Sequence, residues 1–230
     1  MPPSTLPSRR AVSPQVSPAT AVHAVFWDRI ARKYAADPID DLAGYRVTLQ
    51  GVQAYLSPDH DVLEIGCGTG TAALQLAPFT RSLLATDVSP RMIEIAREKL
   101  AVQPLPQLSF EVADAATPVS AAGAYDAVLA FNVLHLMVDL DHALALFVQA
   151  LRPGGLLISK TPCVGEMNPL IGRLALPLMR AIGKAPHVLL FDGEALRSAI
   201  VRQGLQIVSI ERHGTRGKDF RVFIVARKPD

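Results

Sequence analysis

Three glycines at alternate positions, Gly66, Gly68 and Gly70, follow directly on the apolar run Val62–Ile65. The run reads as a buried strand, and a helix is expected to begin near Thr71. Glycine lets a backbone turn sharply and lets a ligand approach without a Cβ in the way. A helix start offers unpaired N–H groups to an anionic end of such a ligand. A second apolar run, Leu83–Thr86, ends in Asp87. A carboxylate at that place can accept hydrogen bonds from a ribose diol. The chemistry this spacing suits is the grip of a nucleoside-type cofactor on a strand–helix–strand unit.

Two ligand classes use such a unit. A dinucleotide loop usually reads Gly-x-Gly-x-x-Gly, whose third glycine allows close helix–strand packing. Here the third glycine comes one residue early. Glu64 to Gly70 therefore resembles the first motif of class I S-adenosylmethionine (SAM)-dependent methyltransferases. Several other segments resemble that family too. They are Asp87 to Met92, Phe110 to Ala115, Tyr125 to Val128, and the turn Leu151 to Gly155. The resemblance implies that Glu64, Gly66, Cys67, Gly68 and Gly70 hold the methionine part of SAM. Asp87 would take the ribose, Val88 and Met92 would pack on the adenine, and Asp114 and Ala115 would read its edge. Asn132 would lie at the end of the fourth strand, beside the donor. The segment Phe26 to Ala31 is similar to the opening of quinone-biosynthesis-type members.

Those segments need a scaffold that brings strand ends together. Strands are expected near 61–65, 82–87, 107–112, 125–131 and 155–160. Helices are expected near 70–78, 89–101 and 139–151. This alternation predicts an α/β, doubly wound parallel sheet. Ser89-Pro90 reads as a helix start, and Arg152 to Gly155 as a helix stop and turn. Two N-terminal helices, over 22–36 and 40–56, precede the first strand. Two further strands, 205–212 and 219–227, follow a helix capped by Asp192. The family resemblance implies a seven-stranded, Rossmann-like sheet of order 3-2-1-4-5-7-6 with its last strand antiparallel. Residues 163–190 read as a helical cap kinked at Pro177, with Met167, Leu170, Ile171, Leu174, Leu178 and Ile182 on one stripe. That cap and the N-terminal helices are expected to roof the acceptor site, with Met167, Leu170, Leu174, Leu178, Met179 and Phe191.

For the acceptor's proton the best base in the sequence is His135, just past the fourth strand, where open α/β sheets place ligand crevices. Tyr34 is expected to close over the site from the first helix. Lys160 and His187 are weaker candidates. Asp126 reads as structural. Cys67 fills a slot in the loop and has no evident histidine partner to make it a nucleophile. No Asn/Asp-Pro-Pro-Tyr/Phe stands after the fourth strand, which reads Phe131-Asn132-Val133-Leu134. That counts against exocyclic amines of DNA bases as acceptors. No ligand spacing suggests a metal.

Composition narrows the partners. The chain has 230 residues, of which 50% are hydrophobic, enough for one full domain. A net charge of +2 without a basic stripe excludes a dedicated nucleic-acid binder. Two cysteines cannot build a disulfide framework. Residues 1–21, rich in proline and serine, read as a disordered tail, with an organelle transit peptide as an alternative; the domain then runs over 22–230. The expectation is a cytoplasmic methyltransferase that moves a methyl from SAM to a small, partly apolar acceptor and releases S-adenosylhomocysteine (SAH). Peripheral contact with a membrane, by the cap's Arg173, Arg180 and Lys184, is an open variant for a phospholipid or quinone acceptor. A nucleotide-cofactor oxidoreductase and a non-catalytic SAM-binding protein remain as other classes.

Overall fold

The computed structural model describes residues 18–118, 122–167, 170, 174–181, 185–215, 219 and 221–230. Seven strands form one sheet: β1 Asp61–Ile65, β2 Ser82–Asp87, β3 Leu108–Val112, β4 Tyr125–Phe131, β5 Leu151–Pro162, β6 Gln206–Glu211 and β7 Arg221–Arg227. Their order is β3-β2-β1-β4-β5-β7-β6. The first five run parallel, and β7 inserts antiparallel between β5 and β6. Sheet order and the reversed last strand agree with the sequence-based expectation.

The central strands are apolar because both their faces are covered. β1 is buried from Val62 to Ile65 and lies between β2 and β4. One core packs Leu63, Val128, Leu157 and Ile224 with α5 (Leu140–Ala150) and α7 (Gly193–Arg202). The opposite face packs Val62, Leu83, Ala127 and Ile158 under α2 (Leu42–Gln53), α3 (Thr71–Leu76) and α4 (Pro90–Val102). Ser89 caps α4 by accepting from Met92 N–H at 3.1 Å, with Pro90 in the first turn. Asp192 caps α7 in the same way. Asp126 is structural: it accepts from Asp61 N–H at 2.7 Å and is held by Arg152.

The chain leaves β1 for β2 on one side and β4 for β5 on the other. The crevice between the ends of β1 and β4 is thus the topological switch point, where open α/β sheets bind ligands. Above it lies α1 (Pro18–Ala36), which begins four residues before the expected start. Ala31 of α1 is fully buried against Met92 and Ile95 of α4. Asp28 accepts from Ser89 Oγ at 2.5 Å and Arg91 N–H at 3.0 Å, so α1 is pinned to the start of α4.

Two regions differ from the expectation. β5 starts at Leu151 and absorbs the turn: Tyr125 and Ala127 of β4 face Leu151 and Leu156 of β5, with Arg152 to Gly155 bulged between them. Segment 163–190 is no continuous helix. Its described parts are a short turn at 164–166, helical chain at 170 and over 174–181, of which α6 is Leu176–Ala181, and irregular chain over 185–190. Pro177 is the second residue of α6 and follows residues 174–175, where the helical turn is widened; a proline there removes a backbone donor from helical chain. Residues 1–17, and Ile171, Arg173, Ile182 and Lys184 of the expected cap, lie outside the described residues. No helix among the described residues is long and apolar enough to cross a membrane.

Candidate active site

A cavity of about 640 Å³ opens at the switch point, a size suited to a cofactor together with a small acceptor. Its floor is the loop after β1. Gly66, Gly68 and Gly70 all have positive φ, at 71°, 55° and 73°. They do different work. A Cβ on Gly66 would meet Val133 Cγ2 at 2.4 Å, and one on Gly70 would meet the Phe110 ring at 2.6 Å. One on Gly68 would meet only Tyr34 Cε1, at 3.8 Å. Gly68 is the glycine that exposes backbone to the cavity. Gly70 does not line the cavity at all, which corrects its expected place among the cofactor contacts: it is required for close packing of α3 on β3 and α4. Lys99 ties the loop down through Thr69 Oγ1 and Thr71 Oγ1, at 2.9 and 3.0 Å.

Asp87 is held by backbone. It accepts from Gly68 N–H and Ser89 N–H, each at 2.9 Å. One lone pair per oxygen remains for a ligand. Burial raises its pKa against those two hydrogen bonds. Glu64 is more unusual. It is 2% exposed, it lines the cavity, and its Oε2 is buried without a hydrogen-bond partner. Burial first, and the nearby Asp87 charge second, push its pKa up to about 8. Cys67 is buried beside them, and its thiol is pushed well up by burial, the opposite of an activated nucleophile. Asp114 is 2% exposed and accepts from Ala116 N–H at 2.8 Å. Val88, Met92, Asp114 and Ala115 all line the cavity. So does Asn132, whose φ of 53° makes it the one non-glycine with positive φ among the described residues. Its N–H donates to Lys160 O at 2.7 Å. Asparagine tolerates this backbone better than most residues, and such local strain tends to sit at functional sites.

The roof comes from α1, α2 and the connection 37–41. Tyr34 stands half exposed over Gly68, with its ring edge-to-face with Trp27 at 6.0 Å. His23 and Trp27 line the cavity from the same face of α1. Burial lowers the His23 pKa, and His187, whose ring centroid is 6.3 Å away, adds to that. Two expectations are corrected here. None of Met167, Leu170, Leu174, Leu178, Met179 and Phe191 lines the cavity; Leu170, Leu174 and Leu178 are about two-thirds exposed, at 65%, 68% and 66%. His135 does not line it either. It sits on a short helical turn, partly buried, where burial lowers its pKa to about 4 and its Nδ1 has no hydrogen-bond partner.

Sequence reasoning missed His23, Trp27, Tyr45 and Thr48. The first two recur with Tyr34 at helical spacing on α1, a pattern that also fits plain packing. Among the described residues no cluster of histidine, cysteine and carboxylate side chains could hold a metal.

Relatives agree with this geometry. A family profile described as "Methyltransferase domain" matches residues 62–155. An O-methyltransferase, cnsE of Penicillium expansum, is 29% identical over 162 residues, covering 67% of this chain and 56% of its own. A ubiquinone biosynthesis O-methyltransferase of Sinorhizobium medicae is 24% identical over 220 residues, covering 88% and 81%. A solved SAM-dependent methyltransferase of Thermotoga maritima superposes with a TM-score of 0.66 at 21% identity, covering 89% of this chain and 99% of its own. The chain spans about half the length of several curated relatives it matches.

Proposed function

We propose that this chain, whose residues 62–155 match a methyltransferase-domain profile and whose sheet has the order of class I methyltransferases, transfers a methyl group from SAM to a hydroxyl of a small organic acceptor. Glu64 carries the reading. A buried carboxyl with an unpartnered oxygen and a raised pKa invites a cation. SAM brings two, an α-ammonium and a sulfonium. The early third glycine points the same way.

The residues present fit that cofactor. The Gly66–Thr69 backbone and Glu64 would hold its methionine end. Asp87 would hold the ribose, Val88 and Met92 the adenine face, and Asp114 and Ala115 its edge. When bound, the cofactor supplies an already activated methyl. The protein's part is alignment of the acceptor and exclusion of water. Trp27 and Tyr34 close the cavity from above, which serves the second task. Relatives named as O-methyltransferases support oxygen as the accepting atom. The test is SAH calorimetry on wild type and Asp87→Ala. Removal of a fixed carboxylate that receives ribose hydrogen bonds is expected to weaken SAH by about tenfold or more, roughly 1.5–3 kcal/mol. NADH binding in place of SAM and SAH contradicts the proposal.

A further inference from the structure

Lys160 is a charged group on the cavity wall to which the cofactor contacts give no task. Lys160 of β5 is 7% exposed and lines the cavity. Its Nζ donates to Thr48 Oγ1 of α2 at 2.7 Å, a neutral partner. The other charges around it are engaged elsewhere. Asp219 accepts from Gly214 N–H at 2.7 Å and Arg221 N–H at 3.0 Å, and pairs with the Arg221 side chain at 3.2 Å. Asp41 accepts from Gly44 N–H, Thr215 N–H and Thr215 Oγ1 at 2.9, 2.8 and 2.6 Å. An ammonium has three N–H donors, and a buried charge with only a neutral partner is costly. Burial accordingly lowers the pKa of Lys160, with Asp219 and Asp41 opposing and Arg221 assisting. That is the direction that makes a lysine a general base.

Behind Lys160 runs a line of groups that leads to solvent. Thr48 Oγ1 donates to Gly44 O at 2.8 Å and lies 3.2 Å from His213 Nδ1. His213 Nε2 lies 3.0 Å from Glu211 Oε2. The His213 ring is buried and fixed against Phe223, centroid to centroid 4.5 Å. The Glu211 side chain is 51% exposed. The hydroxyl that holds the Lys160 ammonium at the cavity wall is thus itself fixed, by Gly44 O and by the buried His213 ring.

We propose that Lys160 takes the proton of the acceptor's hydroxyl and then faces the oxyanion, held in place by Thr48 and His213, so that the acceptor is a phenol or an enol. This rests on the methyltransferase reading above. The step balances. The amine lone pair of Lys160 takes the hydroxyl proton. The oxygen's pair forms the bond to the methyl carbon, and the carbon–sulfur bond of the donor breaks with its pair on sulfur. The proton then leaves Lys160 for water once the methylated product has left the cavity. An alcohol without such acidity gains little from an ammonium in this position.

The probe is 4-nitrophenol, whose phenolate is followed by absorbance in the presence of saturating SAH. In wild type, bound dye is expected to ionise at least about tenfold more readily than free dye, a shift of one pH unit or more. Lys160→Met should abolish that shift, and Lys160→Gln, which keeps a polar end, should abolish it too. Thr48→Val, which keeps the lysine and removes its partner, should shrink it. SAH calorimetry on the same proteins reports whether each is folded and cofactor-competent. Dye that fails to bind as phenolate, or an equal shift in Lys160→Met and Lys160→Gln, overturns the role of Lys160. Absence of SAH binding to wild type is a different failure, that of the methyltransferase reading itself.

Discussion

The two halves of the cavity are built differently. The half assigned above to the cofactor, from Glu64 to Ala115, is set by short loops at the ends of neighbouring strands, where backbone groups are prominent: Asp87 is fixed by two N–H groups, and the left-handed Gly66 and Gly68 shape the floor. The acceptor half is assembled from side chains far apart in sequence. Lys160, Thr48 and His213 come from β5, α2 and the stretch after β6. A cofactor common to many reactions can be gripped by a local device that spans adjacent strands. An acceptor peculiar to one reaction is met by long-range packing, which can change without disturbing the loop.

This contrast breaks first at the glycines. Gly70→Ala adds a Cβ within 2.6 Å of Phe110 at a φ of +73°. Overpacking and left-handed strain together should remove about 3–5 kcal/mol of stability, seen as a lower urea midpoint. Gly68→Ala meets no such clash and should cost only about 1–2 kcal/mol in stability. It should weaken SAH binding, because the methyl enters the cavity beneath Tyr34. Equal stability losses at the two positions would remove the distinction between packing glycine and ligand glycine.

Glu64→Gln sharpens the contrast by separating stability from binding. The folded pKa of about 8 stands above the usual carboxyl value of 4.5. The folded chain therefore holds a proton that the unfolded chain gives up between those values, and stability falls as pH rises from 4.5 to 8. Replacing the ionisable group should stabilise the ligand-free protein at pH 8 by up to about 4 kcal/mol, read from thermal or urea unfolding. The same change should weaken SAM. A variant that is less stable at pH 8 would show that Glu64 is not held at a cost.

Smaller effects are expected at the roof. Asp28→Ala removes the cap that joins α1 to α4 and should cost about 1 kcal/mol. Hydrogen exchange should show α1 opening before the sheet does. Arg32→Ala breaks the Arg32–Glu98 pair, whose side chains are 55% and 49% exposed, and should leave stability unchanged, since exposed ion pairs contribute little.

The same contrast decides how much was legible in the sequence. Gly66, Gly68, Asp87 and Asp114 could be located at strand ends that line the cavity because each follows an apolar run that reads as a strand. Sheet order followed from the strand–helix alternation and the family resemblance. Gly70 was placed on the ligand because glycine spacing does not tell a backbone that faces a ligand from one that faces Phe110. His135 looked suitable because it follows β4, but the direction of its ring depends on tertiary packing. The cap 163–190 reads as a helix by periodicity, yet Leu170, Leu174 and Leu178 are left mostly exposed. The Lys160–Thr48–His213 line spans sequence separations of 112 and 165, and no local pattern announces it.

The most direct measurement is SAM calorimetry at pH 7 in buffers of different ionisation enthalpy. A cation placed on the unpartnered oxygen of Glu64 should pull its pKa down, so wild type should release roughly one proton per SAM bound and gain affinity as pH rises toward 8. Glu64→Gln should release none. SAM binding without proton release in wild type, or with the same release in Glu64→Gln, would contradict the assignment of Glu64 to the cationic end of the cofactor.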